Sequence, residues 1–322
     1  MDQESVSVVI PVYNGAASLP LLIERLQPVL VAHASQAEII LVNDDSRDNS
    51  WDVIGQLAQA HDNVRGINLM RNYGQHNALL CGIRAAQHDV IVTMDDDLQH
   101  PPEEIPLLLA KLAEAGCDVV YGTPRYEQHG LWRNLASRIT KLALQGAMGA
   151  DNARNASAFR VFRTRVREAF ADYQSPYVVL DVLLTWGTTR FGAVSVRHEP
   201  RRLGVSNYTL RKLIVHAINM MTGFSTLPLQ LASWTGFAFT LFGIAVLIYV
   251  LGRYAIEGGS VPGFPFLASV IALFSGAQLF ALGIMGEYLA RMHMRSMGRP
   301  YSAIREQVGF PSAGGEEQHE RG

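Results

Sequence analysis

The sequence predicts an α/β domain built on a mostly parallel sheet, followed by a hairpin of two transmembrane helices. Three observations carry this. Short β-rich runs alternate with helix-periodic stretches over about the first two hundred residues. Polar, acid-rich clusters stand where those runs end. Two charge-free stretches of 23 residues, 229–251 and 264–286, come later in the chain. As helices each would be ~35 Å long, enough to cross a hydrocarbon core of ~30 Å.

The β-rich runs are Val6–Ile10, Glu38–Asn43, Val64–Asn68, Val90–Met94 and Val119–Gly122. Between them Leu19–Ala32, Ser50–Ala60, His76–Ala86 and Glu103–Ala115 place apolar residues at helical spacing. In such sheets ligands bind beyond the carboxyl ends of the strands. "PVYNG", "NDDSRDNS" and "DDDLQHPPE" fall at three of those ends, so they should line one crevice.

Residues 131–144 and 210–224 have basic amphipathic character, and the second directly precedes the first span. A linker with Gly258, Gly259, Pro262 and Gly263 favours a turn between the spans. The expected division is a catalytic domain over 1–209, a juxtamembrane helix over 210–228 and a span over 229–251. An extracytoplasmic linker over 252–263, a second span over 264–288 and a tail over 289–322 complete it.

The chain has 322 residues and a net charge of −2, with acids concentrated early and bases from Arg125 to Lys212. It lacks the lysine-rich blocks and interleaved aromatics of a nucleic-acid binder. A basic surface beside membrane spans suits lipid headgroups or a lipid phosphate. Cys81 and Cys117 are far apart and outside any metal-type spacing, which reads as reduced thiols. The acidic N-terminus predicts no signal peptide. Arg201, Arg202, Arg211 and Lys212 precede the first span, and Arg291, Arg295, Arg299 and Arg305 follow the second. The linker holds only Arg253, offset by Glu257, so both termini should be cytoplasmic and the protein should sit in the plasma (inner) membrane.

In "TMDDDLQHPPE", strand alternation would point Asp95 and Asp97 together and Asp96 away. Two such carboxylates are hard ligands for Mg²⁺ or Mn²⁺, with a diphosphate completing the coordination. Adjacent acids without a cation repel one another. In "NDDSRDNS" a carboxylate can accept hydrogen bonds from a base or ribose, while Ser46 or Asp48 can cap the following helix. Glu287 is placed to pair with Arg291, one turn on.

Asp95-x-Asp97 after a strand, "SVVIPVYN", "MRNYGQHNALLCGI", "DLQHPPEEIP", the late "GVSNY", "GEYLAR" and the paired spans together resemble family-2 glycosyltransferases of the GT-A fold. The nearer resemblance is to polyprenyl-phosphate glycosyltransferases: dolichol-phosphate mannosyltransferases, bactoprenol glucosyltransferases and undecaprenyl-phosphate aminoarabinose transferases. It runs from Ser5 to about Tyr301.

The resemblance implies a nucleotide-sugar donor, carrying uracil or guanine, a polyprenyl-phosphate acceptor and a homo-oligomer. By it, Pro11, Tyr13 and Asn14 match the first nucleotide loop and Asp44 the acid that pairs with the base. Asp95 and Asp97 match the catalytic acids around the metal and diphosphate, with Asp97 the direct ligand and Gln99 nearby. Arg71, Asn72, Gln75 and His76 match the loop and helix start beside the donor. Arg201, Gly204, Ser206 and Tyr208 match the segment that closes on the diphosphate, and Arg125 and Arg133 match basic positions beside the acceptor phosphate.

The chain departs from that pattern in three places. Asp45 stands where the family usually has glycine, and Asn207 where lysine is common. Asn155 stands near the position of an aspartate proposed as the catalytic base, with Asp151 further back. These departures leave a catalytically inactive nucleotide-binding scaffold as an alternative. A processive synthase is a second alternative, but its Gln-x-x-Arg-Trp element is missing from the sequence.

Overall fold

The computed structural model describes residues 3–114, 116–124, 148–149, 155–175, 178–199, 227–257, 263–298 and 300–310. The strands are β1 (Val6–Val12), β2 (Ala37–Asn43), β3 (Val64–Leu69), β4 (Val90–Thr93), β5 (Val119–Pro124), β6 (Arg160–Arg163), β7 (Phe191–Val196) and β8 (Ile304–Val308). They form one sheet in the order β7-β5-β6-β4-β1-β2-β3-β8. β1 pairs in parallel with β2 and β4, and β2 with β3. Every residue of β1 is buried, as expected of a strand covered on both faces.

The helices α1 (Leu19–His33), α2 (Ser50–Ala60) and α4 (Ile105–Glu114) cover one face. α3 (Gln75–Ala85) and α5 (Leu180–Gly187) cover the other. The pleat sorts β1 accordingly: Val6, Val8, Ile10 and Val12 enter the first layer, while Val9 enters the second. Gly82 of α3 lies against Val9 and Val42, where a side chain would collide, so that helix packs directly on the strands. This brings its N-terminus to the carboxyl edge of the sheet.

Two long helices, α6 (Leu227–Glu257) and α7 (Phe264–Ser296), follow. Both are long and apolar enough to cross a membrane, and Leu247, Ile248, Tyr249, Leu279 and Phe280 are exposed on them. They touch through Phe239 and Phe274, whose rings are 5.5 Å apart. Near the end of α7, Arg291 bonds Glu287 at 2.8 Å, the pair the spacing predicts, and Arg295 lies over the Tyr173 ring.

The sequence assigns residues 289–322 to a tail, yet β8 within it is an edge strand of the sheet, antiparallel to β3. Tyr301 and Phe310 flank it and pack on the second core layer. Arg84 stacks on Tyr301 at 4.1 Å and Arg65 on Phe310 at 5.4 Å. Gly309 ends the strand at φ +75, where a Cβ would strike the carbonyl of Val64. Gly309→Ala is therefore expected to destabilise the fold by about 1–3 kcal/mol, read as a lower Tm in thermal unfolding of the full chain.

Candidate active site

Three loops meet beyond the carboxyl ends of β1, β2 and β4. Each contains a non-glycine residue in the left-handed region: Asn14 (φ 56), Asp45 (φ 56) and Leu98 (φ 61). Among the described residues no other non-glycine residue has a positive φ. Backbone held this way persists only where its surroundings fix it, and such residues gather at functional sites.

The surroundings are visible. Asn14 N–H donates to Ser46 Oγ at 2.9 Å, and Arg47 N–H donates to Asn14 Oδ1 at 2.8 Å, latching the first loop to the second. Asp48 accepts from the N–H groups of Ala16 and Ser50. Asp48 thus binds the first N–H of α2, while Ser46 serves the latch instead of a cap.

Asp44 is 3 % exposed and is the pivot. Its two carboxylate oxygens accept the N–H groups of Tyr73 at 2.7 Å and Gly74 at 2.8 Å. Its carbonyl accepts Asn72 Nδ2 at 3.1 Å. Burial pushes the Asp44 carboxyl above the usual carboxylate range; the two N–H bonds oppose this and the Asp45 charge adds to it.

Around Asp44 lies a cleft of about 280 Å³ lined by Pro11, Val12, Tyr13, Asn72, Gly74, Gln75, Asp95, Asp96 and Asp97. The strand alternation expected for the acidic triplet is not what forms. β4 stops at Thr93, the aspartates lie in the turn beyond it, and all three line the cleft. Asp95 accepts Gln75 Nε2 at 2.7 Å, and Asp97 accepts the N–H of Gln99 at 3.1 Å. Asp96 lies so close to Gly15 that a Cβ there would collide with it. Next to the triplet, burial and the charge of His198 lower His100 to about 4.

The carboxylates form an anionic floor, and no lysine or arginine lines the cleft among the described residues. Nor, among those residues, do three or more His, Cys, Asp or Glu gather to hold a metal unaided. Two hard oxygen donors with open positions fit a divalent ion that completes its shell with water and ligand oxygens.

Residues 7–173 match the family described as Glycosyl transferase family 2. The chain belongs to that family. With it stand relatives named undecaprenyl-phosphate 4-deoxy-4-formamido-L-arabinose transferase. One from Yersinia enterocolitica is 36% identical over 309 residues, covering 95% of this chain and 94% of its own. Another from Pseudomonas syringae pv. syringae is 36% identical over 298 residues, covering 92% and 88%. The transferase is thus one of the polyprenyl-phosphate glycosyltransferases. In fold it is similar to glucosyl-3-phosphoglycerate synthase from Mycobacterium tuberculosis (TM-score 0.51, 18% identity, 68% of this chain and 78% of that one), crystallised with Mn²⁺ and UDP-glucose.

Of the residues singled out in the sequence of this transferase, Pro11, Tyr13, Asp44, Asn72, Gln75, Asp95 and Asp97 come together at the cleft. Asn14 belongs to the latch beside it. Arg71 stacks on the Tyr73 ring at 4.5 Å and does not line the cleft. Gln99 uses its backbone, accepting the N–H of Glu199 at 2.9 Å. His76 accepts the N–H of Leu180 at 3.4 Å, a packing contact between α3 and α5. Asn155 is half-buried and not among the lining residues. Asp151, Arg125, Arg133, Arg201, Gly204, Ser206 and Tyr208 lie outside the described residues.

Sequence reasoning turned Asp96 away from the other two acids, whereas it lines the cleft with them, and it passed over Gly74. The signal for Gly74 was its place before a helix, where it adopts φ 92. Replacing Asp44 with Ala strands the N–H groups of Tyr73 and Gly74; the expected cost is about 2 kcal/mol, read as a lower midpoint in denaturant unfolding at constant m.

Proposed function

We propose that the transferase moves one sugar from a nucleotide donor to the phosphate of a polyprenyl phosphate, with undecaprenyl phosphate the first acceptor to test. The observation that carries this is the anionic cleft at the edge of the sheet, in a chain that continues into two membrane-length helices. A diphosphate alone would be repelled by Asp95, Asp96 and Asp97. It can settle there only with a cation, which is how a nucleotide-sugar site of this fold would work.

Asp97 and Asp95 would hold Mg²⁺ or Mn²⁺, with Gln99 beside them. When bound, the ion offsets the charge of the departing nucleoside diphosphate. Asp44 and the Pro11–Tyr13 segment take the nucleoside, and Gln75 orients Asp95. Arg201, Ser206 and Tyr208 close on the diphosphate, and Arg125 and Arg133 receive the acceptor phosphate.

That phosphate monoester carries about −1.5 to −2 charges near neutral pH and is already a nucleophile. One of its oxygens bonds to the anomeric carbon as the bond to the diphosphate breaks, inverting the centre. No proton needs removal, so Asn155 in place of an acid is compatible with turnover, and positioning counts for most of the rate. The distribution of arginines around the spans supports a cytoplasmic catalytic domain.

Full-length protein given undecaprenyl phosphate, Mn²⁺ and a panel of nucleotide sugars, beginning with UDP-4-deoxy-4-formamido-L-arabinose, should place labelled sugar in organic-extractable lipid. Asp97→Asn is expected to lower that transfer at least about hundredfold and to weaken Mn²⁺ binding measured by electron paramagnetic resonance. Full activity of Asp97→Asn in the presence of chelator would overturn the metal role. Binding of nucleotides without transfer from any donor would favour an inactive scaffold.

The raised Asp44 carboxyl adds a pH dependence. Acidification protonates it earlier than an ordinary carboxyl, removing an acceptor from the nucleoside site. Calorimetric affinity for UDP in the presence of Mn²⁺ should therefore fall as pH drops from about 8 to about 4.5, starting above the usual carboxylate range, and Asp44→Asn should flatten that part of the profile.

A further inference from the structure

Arg305 is the residue by which β8 outnumbers β3 at the carboxyl end of the sheet. Asn68 pairs with Glu306 and Leu69 with Ile304, so one residue of β8 has no opposite. A bulge of this kind takes a side chain out of the regular alternation and re-aims it. Here Arg305 Nη2 donates to the carbonyl of Met70 at 2.9 Å and lies 3.6 Å from Asp45 Oδ1. Met70 opens the loop that carries Asn72 and Gly74, and Asp45 follows Asp44. One cation therefore touches both loops that Asp44 joins.

Glu306 reaches the same place by another route. Asn68 Nδ2 donates to Glu306 Oε1 at 3.0 Å, and Asn43 Nδ2 donates to Asn68 Oδ1 at 2.8 Å. Asn43 Oδ1 then accepts the N–H of Ser46 at 3.4 Å, and Ser46 Oγ accepts the N–H of Asn14 at 2.9 Å. A continuous file of hydrogen bonds runs from the strand beyond the membrane helices to the first loop of the cleft. The backbone adds a further tie, since the N–H of Met70 donates to Ala303 at 2.8 Å.

We propose that this post-membrane strand is a working part of the donor cleft. Arg305 is its positioning residue, holding loops 44–47 and 70–74 at the spacing a nucleoside diphosphate requires. The proposal rests on the reading of the Asp44 cleft as the nucleotide site. Arg305 does not line the cleft, so it acts through Asp45 and Met70. The Arg305 and Asp45 side chains are 48% and 42% exposed, so their pair adds little to global stability and its effect falls on the loops.

The test uses the full-length protein in detergent micelles, with UDP and GDP each titrated by calorimetry in the presence of Mn²⁺. Arg305→Ala is expected to weaken the tighter-binding nucleotide about fivefold and to raise the KM of the donor equally, while kcat, acceptor KM and Tm stay unchanged. Arg305→Lys should recover part of the affinity by restoring the charge beside Asp45. Asp45→Gly in the Arg305→Ala background should recover part of it too, because glycine holds the left-handed turn without a cation beside it, while the tie to Met70 stays lost. An Arg305→Ala affinity within about twofold of wild type overturns the inference, as does an effect confined to Tm or acceptor KM. Wild-type protein that binds neither nucleotide overturns the functional reading and this inference together; wild-type binding with no response to Arg305→Ala overturns the inference alone.

Discussion

The site depends on one buried anion. Asp44 directly follows β2, with both carboxylate oxygens turned onto the N–H groups of Tyr73 and Gly74, just ahead of α3. Parallel pairing of β2 and β3 brings the two loops to one edge of the sheet, and this bond pair fixes the 70–74 loop against Asp44 there. With it, the N-terminus of α3 is set against the loop after β2, and Gln75 falls within reach of Asp95. The Asn14–Ser46 and Asn14–Arg47 bonds then bring in the loop after β1. A cleft assembled this way keeps its shape before any ligand arrives, which is what catalysis by positioning requires.

The parallel half of the sheet was legible because its strands are apolar runs long enough to be told from helices. The end of β2 at Asn43 and the start of α2 at Ser50 follow the sequence reading. The short strand β6, "RVFR", has arginine at both ends and no alternation to betray it. β8, "IREQV", is mostly exposed and charged, the composition that protects an edge strand from unwanted pairing and makes it read as a tail. In the site, the acid types were readable and their orientations were not. Asp44 is anchored by backbone N–H groups, which have no residue letter. Asp96 enters the cleft because β4 stops at Thr93, a boundary set by tertiary pairing with β6.

The membrane hairpin and the sheet constrain one another. β3 precedes both long helices and β8 follows both, yet the two strands share hydrogen bonds. A chain that leaves this domain through α6 must therefore bring α7 back to it. If the helices span a bilayer, they do so as an even pair with both ends on one side. Arg295 over Tyr173 and Arg84 over Tyr301 fasten that return next to α5 and α3. Basic residues at the end of α7 thus meet the domain on its α5 side.

Asp45 shows how a departure from the family pattern can be absorbed. Its φ of 56 is a conformation that glycine adopts freely and that aspartate tolerates better than most residues. The strain is of order 1 kcal/mol, small enough for neighbouring contacts to hold. The added charge is the harder problem, because it sits beside the buried carboxylate of Asp44 and disfavours its ionised form. Arg305, released from the strand alternation by the bulge, stands 3.6 Å away and answers that charge from outside the cleft. The partner comes from a segment some 260 residues downstream, so a charge in the loop after β2 is met by the strand that follows the two long helices.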